Sequence, residues 1–422
     1  MNRLGRSLSL LLVLALALAS MATTVRAQNP TKLTLEGWAS SKAENTRLQE
    51  IIDTFNKNNS NIQVTLNQVP EYDTTLAKDL ASGNPPDVFY VDSFRFLDFI
   101  NSGALMPVGN KLEKTDDFFP ALADAFTYNG QLYCPPKDFS TLALEINSDM
   151  LAKAGLKPPT TWEELEAAAK AMTTDKVAGI VLSADLARFI AFLYQAGGSV
   201  TDEGYTKMTI NSPEALTALK FYTDLYANGY AKTPADLGAD WAGDAFGKGL
   251  AAMAVEGNWI MPFMKDQHPD VKFQVVELPA GPKGEATMAF TVCYAVPANG
   301  KNTDAAIKLV QYLTGPEGMK SWTDLGLAMP TRESLADDWS KAHGEQAPFL
   351  EGADYAHKWQ FTPGFQAVLD KANEQIQQIF AGNQTPEAGL KEIEKVGNEV
   401  LSKNKSMMGG QMSATMAATA AK

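Results

Sequence analysis

Two cysteines in 422 residues are too few for a disulfide scaffold, though enough for one bridge. Only three histidines occur, His268, His343 and His357. None has a partner at i, i+4 with a glutamate between them, so the helical zinc-protease signature is excluded. A glycine-rich phosphate loop, a G-x-S-x-G elbow and a Cys-x-x-Cys pair are all missing, and no metal or cofactor is expected. Positive charge is scarce, with 36 Lys and Arg against 49 Asp and Glu and a formal net charge of -13. That balance argues against nucleic acid and anionic membranes as partners. Beyond the first 19 residues no apolar run is long enough to cross a membrane. The chain is nevertheless 45% hydrophobic, which is not the composition of a disordered protein.

What is present begins with a leader. Arg3 and Arg6 form a positive start, Ser9 to Ala19 is a short Leu- and Ala-rich run, and Val25-Arg26-Ala27 is a small-residue cleavage site. Residues 1–27 thus read as a secretory signal peptide, and the expected location is periplasmic or extracellular. An uncleaved membrane anchor is the alternative, but the run is short and lacks a basic flank. No cysteine stands near the cleavage site to carry a lipid, and the two arginines are not adjacent, so a twin-arginine signal is not indicated. The remaining chain is long enough for two domains with full cores.

The first domain reads β-α-β-α-β. Leu33 and Leu35 alternate with polar neighbours, as do Ile62, Val64 and Leu66, while Asp87 to Val91 is a buried-type strand ending at Asp92. Helical patterns lie between them, the first burying Leu48, Ile51, Ile52 and Phe55 on one face. This order predicts a parallel sheet with right-handed crossovers, whose ligands sit beyond the carboxyl ends of the strands. Trp38 to Glu44 and Asp92 to Arg95 occupy two such ends. The pattern then breaks at Pro135-Pro136, exposes the charged pair Lys137 and Asp138 at the break, and resumes through Leu142, Leu144 and Ile146. Two prolines remove two backbone donors, so one sheet is not expected to run through them. The stretch reads as a crossing between lobes.

Beyond the crossing, Thr161 with Glu164 three residues on is a capping box, and Pro213 opens a helix at its first position. Thr287 to Val296 is a strand long enough to pass between lobes, and Met329-Pro330-Thr331-Arg332 is a further break. The rest is read as helical, Phe365 to Phe380 and then Thr385 to Lys403. Residues 404–422, rich in Met, Ala, Gly and Ser, are read as an unstructured tail.

Aromatic residues stand beside polar ones at these breaks: Trp38 near Glu44, Tyr72 between Glu71 and Asp73, Trp241 beside Asp240, Trp259 after Asn258, Trp359 after Lys358. Flat rings flanked by carboxylates and amides suit a sugar, whose C–H face stacks on a ring while its hydroxyls donate to Asp or Glu. For any one ring, core packing is the competing explanation. Asp92, Asp138 and Glu256 could also be the paired acids of a secreted glycoside hydrolase, although an acid at a strand end is more often a helix cap or a hydroxyl-binding group.

In their order along the chain, these pieces resemble the extracellular solute-binding proteins of ABC importers, in the maltose-binding-protein-like sugar-binding group. The resemblance rests on Pro85-Pro86-Asp87-Val88, Asn147-Ser148-Asp149-Met150-Leu151, Pro159-Thr160-Thr161-Trp162-Glu163-Glu164-Leu165, Phe246-Gly247-Lys248-Gly249, Gly257-Asn258-Trp259, Met329-Pro330-Thr331-Arg332 and Gly382-Asn383-Gln384-Thr385-Pro386. It covers roughly residues 31 to 403. It implies an α/β fold of the periplasmic-binding-protein type: two discontinuous lobes around a central cleft, joined by three hinge crossings near 138–142, 291–295 and 327–331. The lobes are expected as 28–137 with 293–328, and 138–292 with 329–403. The resemblance further implies a monomeric, non-enzymatic binder that delivers a carbohydrate to membrane permease subunits. Family site positions fall on Trp38, Glu44, Asp92, Asp138, Asn258, Trp259, Phe290, Thr291, Lys358 and Trp359; Tyr72 and Trp241 join them from the aromatic pattern. Members commonly carry two tyrosines where this chain has Glu145-Ile146, and often a glycine pair where it has Phe290-Thr291. A bulky Phe290 would narrow the cleft. A polyol or glycerol-phosphate ester is the alternative solute, kept open by Ser40-Ser41 and Arg95 at helix starts. Cys134 and Cys293 lie on the two strands assigned to the crossings, where they are either bridged or two buried free thiols.

Overall fold

The computed structural model describes residues 29–39, 41–202 and 204–420, with side chains described as far as residue 405. The predicted leader at 1–27 and Ser40 lie outside the described residues.

The first lobe is built on three parallel strands, β1 (Thr31–Trp38), β2 (Ile62–Val69) and β3 (Val88–Asp92), in the order β2-β1-β3. The helix Lys42–Asn58 follows β1 and buries Leu48, Ile51, Ile52 and Phe55, spaced as an apolar stripe on one face. A tight hairpin, β4 (Thr127–Tyr128) and β5 (Gln131–Leu132), turns at Asn129 and Gly130, both with positive φ (50° and 73°), the geometry a two-residue hairpin loop requires.

The second lobe is organised on β6 (Pro136–Asn147), β7 (Ile180–Val181), β8 (Ala231–Lys232), β9 (Met253–Gly257) and β10 (Phe273–Val276). The chain returns through β11 (Thr287–Ala295), and β12 (Ala356–Lys358) pairs parallel to its start. Along β6 the side chains alternate. Leu142, Leu144 and Ile146 enter one core together with Trp162, Phe189 and Phe192, while Ala143 enters another with Phe246, Ala254 and Ile260.

The first lobe's core gathers buried residues from Leu33 to Cys134 and again from Cys293 to Ala328. The larger core of the second lobe draws on Leu142 to Met288 and then on Trp359 to Leu401. The chain therefore passes between lobes three times, along β6, along β11 and at Ala328–Met329. The crossings lie side by side: β11 runs antiparallel to β6, Phe139 bridges Met329, and the Thr331 hydroxyl donates to the Pro136 carbonyl at 3.0 Å.

Four sequence expectations need correction. The sheet does run through the proline break, in the order β2-β1-β3-β11-β6-β9-β7-β8. Proline lacks only the donor: the Pro135 carbonyl accepts from the Tyr294 N–H at 3.2 Å, and Pro136 is the first residue of its strand. Lys137 is buried rather than exposed. The stretch read as wholly helical after Arg332 contains β12. The last helix, Pro386–Ala420, continues through the segment read as an unstructured tail.

Cys134 and Cys293 are joined in a disulfide, with Cα atoms 5.5 Å apart. Both are fully buried in the first lobe's core.

Candidate functional site

A cavity of about 390 Å³ lies where the carboxyl ends of β1 and β3, the crossings and the end of β9 converge. Nine of the residues singled out from the sequence line it: Trp38, Glu44, Asp92, Asp138, Asn258, Trp259, Phe290, Thr291 and Trp359.

The lobe 1 side is ionisable. Trp38, the last residue of β1, meets Tyr72 and Tyr90 edge to face, with centroids 5.5 and 5.1 Å away. The Tyr90 ring lies so close to Gly37 that a Cβ there would stand 2.4 Å from it. Glu44, in the first turn of the helix capped by Ser41, is half-buried. Burial, with Asp138 adding to it, pushes the Glu44 carboxyl up to about 7 against the opposing influence of Lys137 and the Ser41 hydrogen bond. Asp92 uses one carboxylate oxygen to accept from the Arg95 N–H at 2.9 Å, and burial raises its pKa despite that bond.

At the floor, Lys137 and Asp138 form an ion pair. Consecutive residues on a regular strand point to opposite faces. Here the β6–β11 register shifts between Val292 and Cys293, so that Val292 faces Asp138 and Cys293 faces Pro136. The shift leaves Lys137 unpaired in the ladder as a bulge, which re-aims its side chain. The Lys137 ammonium stands 4.0 Å from the centroid of Trp322 and 5.2 Å from that of Tyr90, and the Trp322 N–H donates to Asp138 at 3.2 Å. Burial works to lower the Lys137 pKa, but Asp138, Tyr90 and Glu44 outweigh it and hold the pKa above the ordinary value.

The lobe 2 side is aromatic. Trp259, Phe290 and Trp359 form a chain of rings with successive centroids 5.7 and 5.6 Å apart. Phe94, from the end of β3 in lobe 1, stacks on Trp359 at 5.6 Å, and the Ser93 hydroxyl donates to the Trp359 carbonyl at 2.8 Å. Asn258 is 3% exposed; its N–H donates to the Ser140 hydroxyl at 2.9 Å, and its side-chain Nδ2 has no partner among the described residues.

The structure does not bring three of the predicted residues to this cavity. Tyr72 is buried behind Trp38, its hydroxyl donating to the Tyr90 carbonyl at 2.7 Å. Trp241 packs on Gly243 and, edge to face, on Phe263 at 4.9 Å, beside a separate lobe 2 core. Lys358 lines a second hollow, of about 450 Å³, with Tyr128 and Tyr205, while its neighbour Trp359 lines the first. Glu256 is fully buried and bonded to Arg188 and to the Trp259 indole, so it does not line the cavity. Sequence reasoning missed Gln68, Ser140 and Trp322, which do line it, while Ser93, also on the lining, falls within the strand end Asp92 to Arg95 picked out from the sequence. Trp322 sits in the helix Pro316–Thr323, three residues after Met319 on its buried face. The Ser140 hydroxyl follows Asp138 closely enough that extending the search by two residues would have found it.

Among known families, the model described as bacterial extracellular solute-binding protein matches residues 39–320. The arabinooligosaccharide-binding protein of Bacillus subtilis is 26% identical over 396 residues, covering 88% of this chain and 88% of the relative. An ABC substrate-binding protein from Listeria monocytogenes, solved in complex with cycloalternan, superposes with a TM-score of 0.81 at 26% identity, covering 88% of this chain and 99% of that one. A solute-binding protein of an ABC transporter from Thermotoga lettingae, bound with α-D-tagatose, gives a TM-score of 0.79 at 26% identity, covering 88% and 100%.

Proposed function

The chain belongs to the bacterial extracellular solute-binding protein family, and from that premise we propose that it is the substrate-binding component of an ABC-type carbohydrate importer, capturing a short sugar between its lobes. The observation that carries this reading is Asn258: a buried amide donor without a partner among the described residues, set in a cavity walled by tryptophan rings and edged with carboxyl groups. A sugar supplies what each group lacks. A ring or hydroxyl oxygen accepts from Asn258, hydroxyls donate to Asp92 and Glu44, and the C–H face covers Trp259. A volume of about 390 Å³ is near the small end of ligand pockets, and Phe290 fills part of the wall, so the sugar is short.

The mechanism is binding without turnover. A sugar touching both lobes stabilises their closed arrangement to the extent that it binds that arrangement better. The chain is exported through its leader, acts as a monomer and passes the sugar to membrane permease subunits. Phosphate esters fit less well. Glu44, Asp92 and Asp138 line the cavity against one cation, Lys137, which is already paired with Asp138, and Arg95 is paired with Asp73. Hydrolysis fits less well too: of the three candidate acids, Glu256 is sealed behind Trp259, Asp138 is paired with Lys137, and Asp92 accepts from the Arg95 N–H.

A thermal-shift panel of sugars, polyols, their phosphates and amino acids tests the reading, with mass spectrometry of the recovered solute. A sugar at a hundredfold excess over its dissociation constant should raise stability by about 2.7 kcal/mol and come back unchanged. A shift with amino acids or peptides alone, or recovery of a cleaved sugar, would overturn it.

A further inference from the structure

Behind Trp259 lies a cluster of charge that the proposed binding role leaves unexplained. Glu145 and Glu256 are both fully buried. Arg188 reaches the same place from the helix Leu186–Gln195, placing Nη2 2.8 Å from Glu256 Oε2. The Trp259 indole N–H donates to that same oxygen at 2.9 Å, and the guanidinium carbon stands 5.6 Å from the Trp259 ring centroid. Glu145 adds a brace: its Oε2 accepts the Glu256 backbone N–H at 3.1 Å. Gly257 brings bare backbone against the ring, where a Cβ would stand 2.3 Å from it, and Phe290 meets it edge to face. The platform is thus held at its N–H edge by a carboxylate, over its ring by a guanidinium, and on two further sides by Gly257 and Phe290.

Burying a guanidinium with two carboxyl groups is a poor way to gain stability, since well-packed apolar residues of similar volume generally serve as well or better. Burial pushes Glu145 well above the ordinary carboxyl range, with Glu256 reinforcing the shift.

We propose that Arg188, Glu256 and Glu145 are positioning residues, a buried mount that fixes the Trp259 ring in the orientation on which the sugar stacks. The proposal rests on the carbohydrate reading above and assigns these three residues no contact with the ligand. Three further polar atoms of the cluster, Glu145 Oε1, Glu256 Oε1 and Arg188 Nε, have no partner among the described residues, so the geometry is set by the three bonds to Glu256 and by Asp185, whose Oδ2 stands 3.8 Å from Arg188 Nη1.

The test is a double-mutant cycle on the full exported chain, with arabino-oligosaccharides and maltodextrins as probes, read by calorimetry and by thermal midpoint. The apolar replacement Arg188→Met with Glu256→Leu should leave the midpoint equal or higher and weaken the best probe about tenfold. Trp259→Ala alone should weaken it as well. The triple variant should bind no worse than Trp259→Ala, because a mount without its platform has nothing left to act on. Parent-like affinity in the apolar variant, or losses that multiply in the triple, would overturn the mount while leaving the carbohydrate reading intact. A parent that binds no probe of either series, nor any other sugar, would overturn both. If the apolar variant does not fold, the Arg188 pair decides: Arg188→Lys keeps a cation on Glu256 and should stay within about threefold of the parent, whereas Arg188→Met should fall about tenfold. Equal affinities for the two would overturn the proposal.

Discussion

The two walls of the cavity handle charge in opposite ways. Lobe 1 and the first crossing place Glu44, Asp92, Lys137 and Asp138 on the cavity surface, while lobe 2, among the described residues, lines it with the uncharged Ser140, Asn258 and Thr291 and with aromatic rings, and keeps Arg188, Glu145 and Glu256 behind them. A titratable group that faces a cavity makes stability and binding respond to pH; one sealed behind a ring acts on the cavity only through that ring. Charged hydrogen-bonding groups are therefore concentrated on one lobe, while both lobes offer rings, and a ligand must touch both to gain the full set.

The comparison breaks most severely at the floor. Asp138→Ala leaves Lys137 buried without its partner, and removing one member of a buried pair costs about 3–5 kcal/mol. Loss of a charged hydrogen bond, on the order of 1.5–3 kcal/mol, should also weaken sugar binding about ten- to a hundredfold. Urea unfolding and calorimetry on the same preparation give both numbers. An unchanged midpoint would show that Lys137 does not depend on Asp138.

A second break lies in the lobe cores. Lobe 1 is stapled by the Cys134–Cys293 bond, which spans 159 residues, and the described residues contain no free cysteine. Cys134→Ala with Cys293→Ala should lower stability by roughly 2–5 kcal/mol. Because only the lobe 1 core loses a tie, tryptophan fluorescence and far-UV circular dichroism should separate into two transitions. A single coincident transition at the parent midpoint would remove the staple from the account.

The pH response sharpens the contrast with a smaller effect. Burial lifts Glu44 from 4.5 to about 7. Between those values the folded chain holds a proton there that the unfolded chain has released, so this group's contribution falls as pH rises through the window and is level above it. Glu44→Gln should flatten that part of the stability profile, as measured by urea midpoints across the same range. Parallel profiles for parent and variant would assign the response to other groups. The smallest effect belongs to Trp241→Ala, which should change sugar affinity by less than about twofold, since its ring packs outside the cavity.

How much of this could be read from the sequence follows from how local each signal is. The β-α-β order led straight to the strand ends at Trp38 and Asp92, because strand period and helix period are written in adjacent residues. Tyr72 and Trp241 carry the same local signature as Trp38, an aromatic beside an acid, yet they face inward; which side a ring takes depends on packing by elements far away in the chain. Lys137 was visible as a polar residue at a break, but its entry into the cavity depends on a bulge against β11, a strand some 150 residues later. Arg188 sits on an amphipathic helix, where a charged residue ordinarily marks the solvated face, and its partner Glu256 is 68 residues away. Pairings of that kind have no sequence period to betray them.

The bond between Cys134 and Cys293 also reroutes tension. A pull on the two ends of the chain passes directly from one cysteine to the other, and everything between them hangs as a closed loop that carries no load. With the bond intact, the fully stretched chain should be shorter by roughly 550 Å than with it reduced, at about 3.3–3.6 Å for each of the 159 sheltered steps. Most of lobe 2 lies within that loop, so a machine gripping either end would unravel lobe 1 and the last helices while leaving most of lobe 2's backbone outside the line of force.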